Sequence, residues 1–464
     1  MRHYELVVVG AGPGGLAAAV HASEAGMQVA VFDEGLQAGG QYYCRPQVPT
    51  GGGQAPTDLS PVIDRFLKAR LEYHPGSVVW GVYGDRLLAI SDGGKSDLVK
   101  ADQIVVATGA YERPICFPGW TLPGVMAAGG AGRLAKSQKI PPAGRVVLAG
   151  SGPFLLPVAV ELLNAGARVL GVYEAASKCD WLRLLSVGWR YVDNVTEAIG
   201  YFRALLAART PLGYGWVVTA ARGDGRVEEV VLAKTDADWR PRPGTEQTLP
   251  ADALCVGYGF LPDSELTRLL GCEHNVDALT DGLVCTHDEW MQTTVPGVYV
   301  AGETAGVGGA RVAELEGEIA GTAAALQVGH LTTAQAEGRL RGARRRLEHR
   351  RRFAAAMNRI FAPRPGLYQL ATDNTVVCRC EDITLAELHK AVPPWPASGN
   401  LVKAWSRAGM GMCQGRICGS LVPHLISLHG ASLDGVFTVR APIRPIPISS
   451  LLQMPPDSLA AERG

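Results

Sequence analysis

The sequence lacks net charge, long apolar runs and clustered cysteines along most of its length. Lys plus Arg and Asp plus Glu each number 44, so the formal net charge is zero. That balance gives no electrostatic reason to expect nucleic acid as a partner. No apolar stretch reaches the ~20 residues that a membrane-spanning helix needs. The opening "MRHYELVVVGAG" starts a buried strand at once and carries no export signal. The expectation is a cytoplasmic protein, any membrane association coming through partners, in a compartment where structural disulfides are disfavoured. Cys44, Cys116, Cys179, Cys255, Cys272 and Cys285 are scattered and read as core or incidental thiols.

Glycine is what the chain has in quantity, 57 residues of 464, as repeated strand–turn–helix units require. The first such unit is "ELVVVGAGPGGLAAAVHASEAGMQVAVFDE". An apolar strand runs into Gly10, Gly12 and Gly15, and an Ala-rich helix follows. The first glycine permits the tight turn, the second lets the backbone approach a pyrophosphate, and the third lets helix pack on strand. The helix N-terminus then offers N–H groups and positive potential to the phosphates. Asp33 and Glu34 close the next strand, where a carboxylate should accept ribose hydroxyls.

A second copy, "RVVLAGSGPFLLPVAVELLNAGARVLGVYE", places Gly150 against Gly10 and Gly152 against Gly12. Leu155 replaces the third glycine, and Tyr173 stands opposite Asp33, which leaves Glu174 as the nearest acid. A leucine there should push helix from strand and narrow the turn, so ordinary NAD(P)H binding is in doubt. Gly150, Gly152 and Glu174 are the candidates for a second adenine nucleotide.

Three further segments resemble flavoprotein signatures. "ADQIVVATGAYERP" resembles the strand-ending motif near the dinucleotide, with Thr108 and Gly109 at its turn. "VPGVYVAGETAG" resembles the late Gly-Asp motif beside the flavin ribityl chain, here Gly302 and Glu303, the acid one methylene longer. "AGGQYY" supplies Gly39, Gly40 and Gln41. Together they resemble the two-dinucleotide-domain flavoproteins of the glutathione reductase type, over about residues 1 to 330. The resemblance implies FAD in the first site. No redox dithiol accompanies it: Cys44 stands alone and "GVMAAGGAGRL" has no cysteine, which excludes thiol exchange.

Residues 339–352, "RLRGARRRLEHRRR", hold eight arginines in fourteen positions, with Leu340, Leu347 and Phe353 as a thin apolar stripe. A solvated helix is the default expectation and docking onto an acidic partner the sharper one.

The remaining four cysteines are crowded: Cys378 and Cys380 in "CRCEDIT", Cys413 and Cys418 in "GMCQGRICG". Thiolates so gathered in a reducing compartment point to zinc or iron–sulfur. Structural zinc favours C-x-x-C knuckles, and neither pair has that spacing. A [2Fe–2S] cluster takes two thiolates on each iron, and Gly409, Gly411, Gly415 and Gly419 leave N–H groups to bond sulfur. The reading favours [2Fe–2S] over zinc. These segments resemble the bacterioferritin-associated-ferredoxin-like [2Fe–2S] domain, and with "ATGAYERPICFPGWTLPGVMAAGGAGRL" they resemble one family. It is the α subunit of heteromeric flavin amine dehydrogenases, which includes opine, D-hydroxyproline and dye-linked L-proline dehydrogenases and hydrogen cyanide synthase.

The expected architecture is α/β. An FAD-binding domain spans 1–117 and 247–332, and a degenerate nucleotide-binding domain spans 118–246. A basic helix and linker cover 333–372, a small, mainly helical [2Fe–2S] domain 373–431, and an extended tail 432–464. The resemblance implies that an amino acid or opine-type amine is oxidised to an imine on the flavin of a β subunit. It also implies FMN at the subunit boundary, an external electron acceptor and a small third subunit. No catalytic base is named, since His3, His21 and His74 are isolated. The alternatives are a self-contained NAD(P)H-dependent ferredoxin-type reductase and a non-catalytic, zinc-stabilised assembly subunit.

Overall fold

Strand and helix alternate from the second residue, and the apolar runs seen in the sequence become strands buried on both faces. The computed structural model describes residues 1–46, 60–188, 191–393, 395 and 397–452. In the first unit β1 (Arg2–Val9), α1 (Pro13–Glu24) and β2 (Val29–Asp33) are followed by α2 (Pro61–Lys68), β3 (Glu72–Pro75), β4 (Val78–Tyr83), β5 (Leu87–Ser91) and β6 (Ser96–Val106). Leu6, Val7 and Val8 are fully buried, as a strand covered on both sides demands. The sheet runs β3-β2-β1-β6-β5-β4, parallel from β3 to β6 and antiparallel from β6 to β4.

The chain leaves this sheet through β7 (Ala110–Glu112) and builds a second one. There β8 (Val125–Ala127), α3 (Ala128–Gln138), β9 (Arg145–Gly150), α4 (Leu155–Asn164), β10 (Arg168–Glu174), α5 (Lys178–Gly188), α6 (Val192–Ala207) and β11 (Leu212–Tyr214) precede a meander of β12 (Trp216–Arg222), β13 (Glu229–Lys234) and β14 (Gln247–Pro250). β15 (Ala253–Gly257) then enters between β8 and β9, giving the parallel order β11-β10-β9-β15-β8. The return to the first unit therefore comes after Gly257 rather than at 247, because the last strand of the second sheet is still to be laid down. β16 (Phe260–Pro262) pairs with β7 at the crossing.

After α7 (Glu265–Leu269) and the hairpin of β17 (His274–Val276) and β18 (Leu283–Cys285), β19 (Val298–Val300) pairs with the end of β6 and completes the first sheet. Then α8 (Ala310–Gln327) lies backbone to backbone on α1: a Cβ on Gly317 would stand 2.0 Å from the Gly14 carbonyl oxygen. The Arg-rich helix α9 (Thr333–Ile360) opens on a capping box of Thr332 and Gln335. It buries Ala336, Leu340, Ala343 and Leu347.

The last part is small and mainly helical, with β20 (Val376–Cys378), β21 (Ile383–Thr384), α10 (Leu385–Lys390), β22 (Ala397–Ser398), α11 (Gly399–Ser406), α12 (Val422–Ser427), β23 (Leu433–Asp434) and α13 (Ile448–Leu452). The tail is described to residue 452 and is seated on the body: Phe437, Ile443 and Ser450 are buried. Its remainder, 453–464, lies outside the described residues. Among the described residues no helix is long and apolar enough to cross a membrane.

Candidate dinucleotide crevices and thiol site

The first crevice lies at the carboxyl ends of β2, β1, β6 and β19, where open α/β sheets hold their ligands. Gly10 turns the chain at φ +103°, and a Cβ there would stand 2.4 Å from the Ala107 carbonyl oxygen. A Cβ on Gly15 would stand 1.8 Å from the Gly10 oxygen, so only glycine lets α1 sit this close. Gly12 differs: a Cβ there meets nothing within 4 Å, which leaves its face open for a ligand. Gly39 donates its N–H to Ala11 O at 2.8 Å, bringing Gly40 against Gly12. Gln41 is exposed on the same turn.

The two acids after β2 have separate duties. Asp33 accepts the N–H of Ala11 through Oδ2 and that of Gly35 through Oδ1 at 2.6 Å. Burial pushes its carboxyl up and these amides oppose the shift. Both oxygens of Asp33 are thus spent on the turn, and Glu34 is the acid left exposed at the rim. On the other side Thr304 Oγ1 accepts the Gly109 N–H at 2.9 Å and lies 3.2 Å from Thr108 Oγ1. Glu303 lies in the 3-10 turn Gly302–Ala305, and burial pushes its carboxyl up against the influence of the Gly309 N–H at the cap of α8.

Beneath this turn is a pair that local sequence patterns do not announce. Gly302 N–H donates to Glu316 Oε2 at 3.0 Å, and Glu316 Oε1 is 2.8 Å from Nη2 of Arg351. Burial raises the Glu316 carboxyl to about 7, with Arg351 opposing. The Arg-rich helix is therefore not simply solvated. Arg346 pairs with Glu318, Arg350 with Asp193, and Arg344 lies over the Trp290 ring at 4.3 Å. A buried acid in α8 beside an arginine-dense helix was the available signal.

The second crevice repeats the plan and closes it. Where α1 begins at Pro13, α4 begins only at Leu155, so its matching first turn is not α-helical. Leu155 and Leu156 donate to Gly152 and Pro153, three residues back, whereas Leu16 donates four back to Gly12. The expectation is that Leu155 pushes the helix from the strand and narrows the turn; what the structure has here is a tighter first turn with bonds three residues back. Gly152 takes φ +98°, and a Cβ on it would lie 3.7 Å from Cγ of Phe361 at the C-terminal cap of α9. Ser151 Oγ donates to Phe361 O at 3.4 Å. Trp181 packs edge-on to Phe361 at 5.3 Å and to Tyr214 at 5.9 Å. Glu174 is buried and accepts the N–H of Gly152 and of Ala176, each at 2.9 Å; burial raises its carboxyl to about 7.

The four late cysteines come together. Cys378 acts most strongly on Cys418 and Cys413 on Cys380, and each pair also feels the other, Cys378 acting on Cys380 and Cys413 on Cys418. The neighbouring Cys418 thiol outweighs burial and brings Cys378 down to about 6, helped by the Gly409 and Glu381 N–H groups. A Cβ on Gly411 would stand 2.3 Å from Cβ of Cys380, so the loop needs glycine for its close approach. The Gly419 N–H, expected to be available to sulfur, instead donates to Gly415 O at 2.6 Å. Among the described residues no three Cys, His, Asp or Glu side chains converge on one ion position. Of the thiols read as scattered, Cys272 and Cys285 influence each other's protonation, and Cys116 shares a buried cluster with Cys378.

Comparison with known proteins adds family and fold. The family model for pyridine nucleotide-disulphide oxidoreductases matches residues 4–338. Hydrogen cyanide synthase subunit HcnB of Pseudomonas aeruginosa is 35% identical over 460 residues, 96% of this chain and 97% of that protein. The opine oxidase A-subunit of Agrobacterium tumefaciens is 32% identical over 97% of this chain and 92% of its own. Among solved structures, L-proline dehydrogenase from P. horikoshii superposes with a TM-score of 0.67 at 18% identity, covering 97% of this chain and 79% of that one, a likeness of fold.

Proposed function

This chain belongs to the pyridine nucleotide-disulphide oxidoreductase family and, within it, to the group of HcnB and the opine oxidase A-subunit; from that premise we propose an electron-transfer role. It is the flavin and iron–sulfur subunit of a heteromeric dehydrogenase that oxidises an amino acid or opine-type amine to an imine. Substrate oxidation takes place in a β subunit, FMN sits at the subunit boundary, and an external acceptor takes the electrons. Bound FAD and a [2Fe–2S] cluster would supply the exchange between two-electron and one-electron chemistry.

The observation that carries this reading is the gathering of Cys378, Cys380, Cys413 and Cys418 from two separate segments into one neighbourhood. Four thiolates suit a tetrahedral zinc or a [2Fe–2S] cluster, which takes two on each iron, and the lack of a C-x-x-C knuckle favours the cluster. Cys378, Cys380, Cys413 and Cys418 would hold the cluster, and the amides of Gly409 and Glu381 would stabilise thiolate at Cys378. In the first crevice the open face of Gly12 and the N-terminus of α1 would take the pyrophosphate, and Glu34 the ribose hydroxyls. Thr108, Gly109, Gly302 and Glu303 would line the flavin side. Phe361 over the second turn speaks against a self-contained NAD(P)H reductase.

Anaerobic purification followed by iron, acid-labile sulfide and zinc analysis tests the reading. Iron and sulfide in equal amounts, with broad visible absorption lost in Cys413→Ser, is the expected result. Zinc in their place would make the chain an assembly subunit. Prompt bleaching of the flavin by NADH would restore the reductase alternative.

A further inference from the structure

The tail of the chain reaches the first crevice. Ile443 is buried, its N–H donating to Trp80 O at 2.8 Å and its carbonyl accepting from Arg416, which lies between Cys413 and Cys418. So anchored, Arg444 turns its guanidinium inward, with only 16% of the side chain exposed. Its Nη2 pairs with Asp263, its Nε stands 3.8 Å from Oε2 of Glu34, and its Nη1 stands 4.0 Å from Oε2 of Glu265.

The positions of those acids place the arginine. Asp263 is fixed at the end of β6, since its N–H donates to Gly109 O at 2.9 Å and its carbonyl accepts from Thr108 Oγ1 at 3.3 Å. Glu34 directly follows β2. Between β2 and β6 the sheet holds β1, which ends in the Gly10–Gly12 turn. Two strand spacings of about 4.8 Å separate the ends of β2 and β6. A guanidinium that addresses both acids therefore lies across the carboxyl end of β1, at the mouth of the crevice.

We infer that Arg444 is a positioning residue of the first dinucleotide site, holding the Glu34 carboxylate at the rim where it meets a ribose. The inference rests on the reading of FAD in that crevice. Asp33 already accepts one turn amide on each oxygen, whereas both oxygens of Glu34 are free of hydrogen bonds among the described contacts. Glu34 has no hydrogen-bonded anchor of its own among the described contacts, and its side chain is 67% exposed. Left alone, it would lose rotamer freedom on meeting the ligand; a cation already beside it reduces that cost. Asp263 in turn keeps the arginine from swinging out to solvent. The end of the chain thus finishes a site that its first residues begin.

The test is a double-mutant cycle on the full chain, stripped of flavin and titrated with FAD by fluorescence quenching. Wild type, R444Q, R444K, E34Q and the R444Q/E34Q double variant are compared. R444Q should weaken FAD binding about five-fold, the size expected of one partly exposed ion pair. R444K should recover most of the loss, and R444Q should add nothing once Glu34 is Gln. Loss of the Asp263 pairing should lower the melting temperature of the flavin-free protein either way, but a merely structural arginine would give binding losses that add. Additive losses, or wild-type affinity in R444Q, overturn the inference. Should R444Q fail to fold, E34Q alone decides, and wild-type FAD affinity in it overturns the inference. Absence of FAD binding by wild type overturns the reading of the crevice itself, which the additive outcome leaves intact.

Discussion

The two dinucleotide units carry the same strand–turn–helix plan and differ in the few residues over the turn. In the first, Gly12 is extended and faces open space; in the second, Gly152 has a positive φ and faces an aromatic ring. The first keeps its helix down to Pro13, while the second has unwound the corresponding turn and begins at Leu155. Asp33 and Glu174 both brace their own turns through two amides, and the first unit adds the exposed Glu34 where the second has the part-buried Glu112 beside Leu155. The scaffold therefore outlasts the site. Once the third glycine is gone and the helix terminus retreats, the vacated surface becomes a place to dock the end of α9.

The most severe challenge to this contrast is Gly12→Val. The backbone at Gly12 (φ −74°) suits any residue and no atom is near, so the variant should fold and melt as wild type. FAD affinity should fall by about 100-fold or more, because the backbone can no longer approach the pyrophosphate. Retention of flavin through purification would rule out the first crevice as its site.

Next comes pH dependence in the second unit. Glu174 rises from its ordinary 4.5 to about 7 on folding. Between those values the folded state keeps a proton that the unfolded state has released. Stability should therefore fall as pH rises from about 4.5 to about 7 and level off beyond, by up to about 3 kcal/mol. Hydrogen exchange of β9 and β10 amides measures it, and Glu174→Gln should flatten the curve. A wild-type slope in that variant would locate the effect elsewhere, Glu112 and Glu316 being the other carboxyls raised to about 7.

Arg351→Ala should cost about 2 kcal/mol, because it leaves Glu316 buried without its cation beneath Gly302. The readout is the temperature at which flavin is released, and an unchanged value would separate α9 from the first site. Smallest is Phe361→Ala, about 1 kcal/mol for a half-buried ring, seen as faster local exchange around Gly152. NADH should still fail to bleach the flavin, because the unwound turn at Leu155 stays as it is.

Much of this was legible in the sequence. The glycine fingerprint, the degenerate copy and the crowding of four cysteines are local patterns, and local rules decide them. Legibility ended where a contact joins distant segments. Asp33 and Glu34 look equivalent as neighbours in the chain; only the closeness of Ala11 and Gly35 shows that one is consumed by the turn. Arg351 looked like one more solvent-facing charge until α8 presented Glu316 to it. Phe361 and Arg444 lie in stretches that read as linker and tail, and no periodicity could say which crevice each would meet. The domain boundary slipped for a related reason: Ala253–Gly257 is a short parallel strand whose neighbours were made a hundred residues earlier.

The strand Val298–Val300, laid beside Ile104–Val106, sets the order in which this protein can be born. Residues 2–106 form a sheet whose outer parallel edge is supplied only when Val298–Val300, far downstream, has been synthesised. Until then β6 presents an unpaired edge of Ile and Val, the kind of surface that invites association with other nascent chains. Slow translation through the second unit prolongs that exposure, so production yield should respond more to chaperone supply during synthesis than to the stability of the finished molecule.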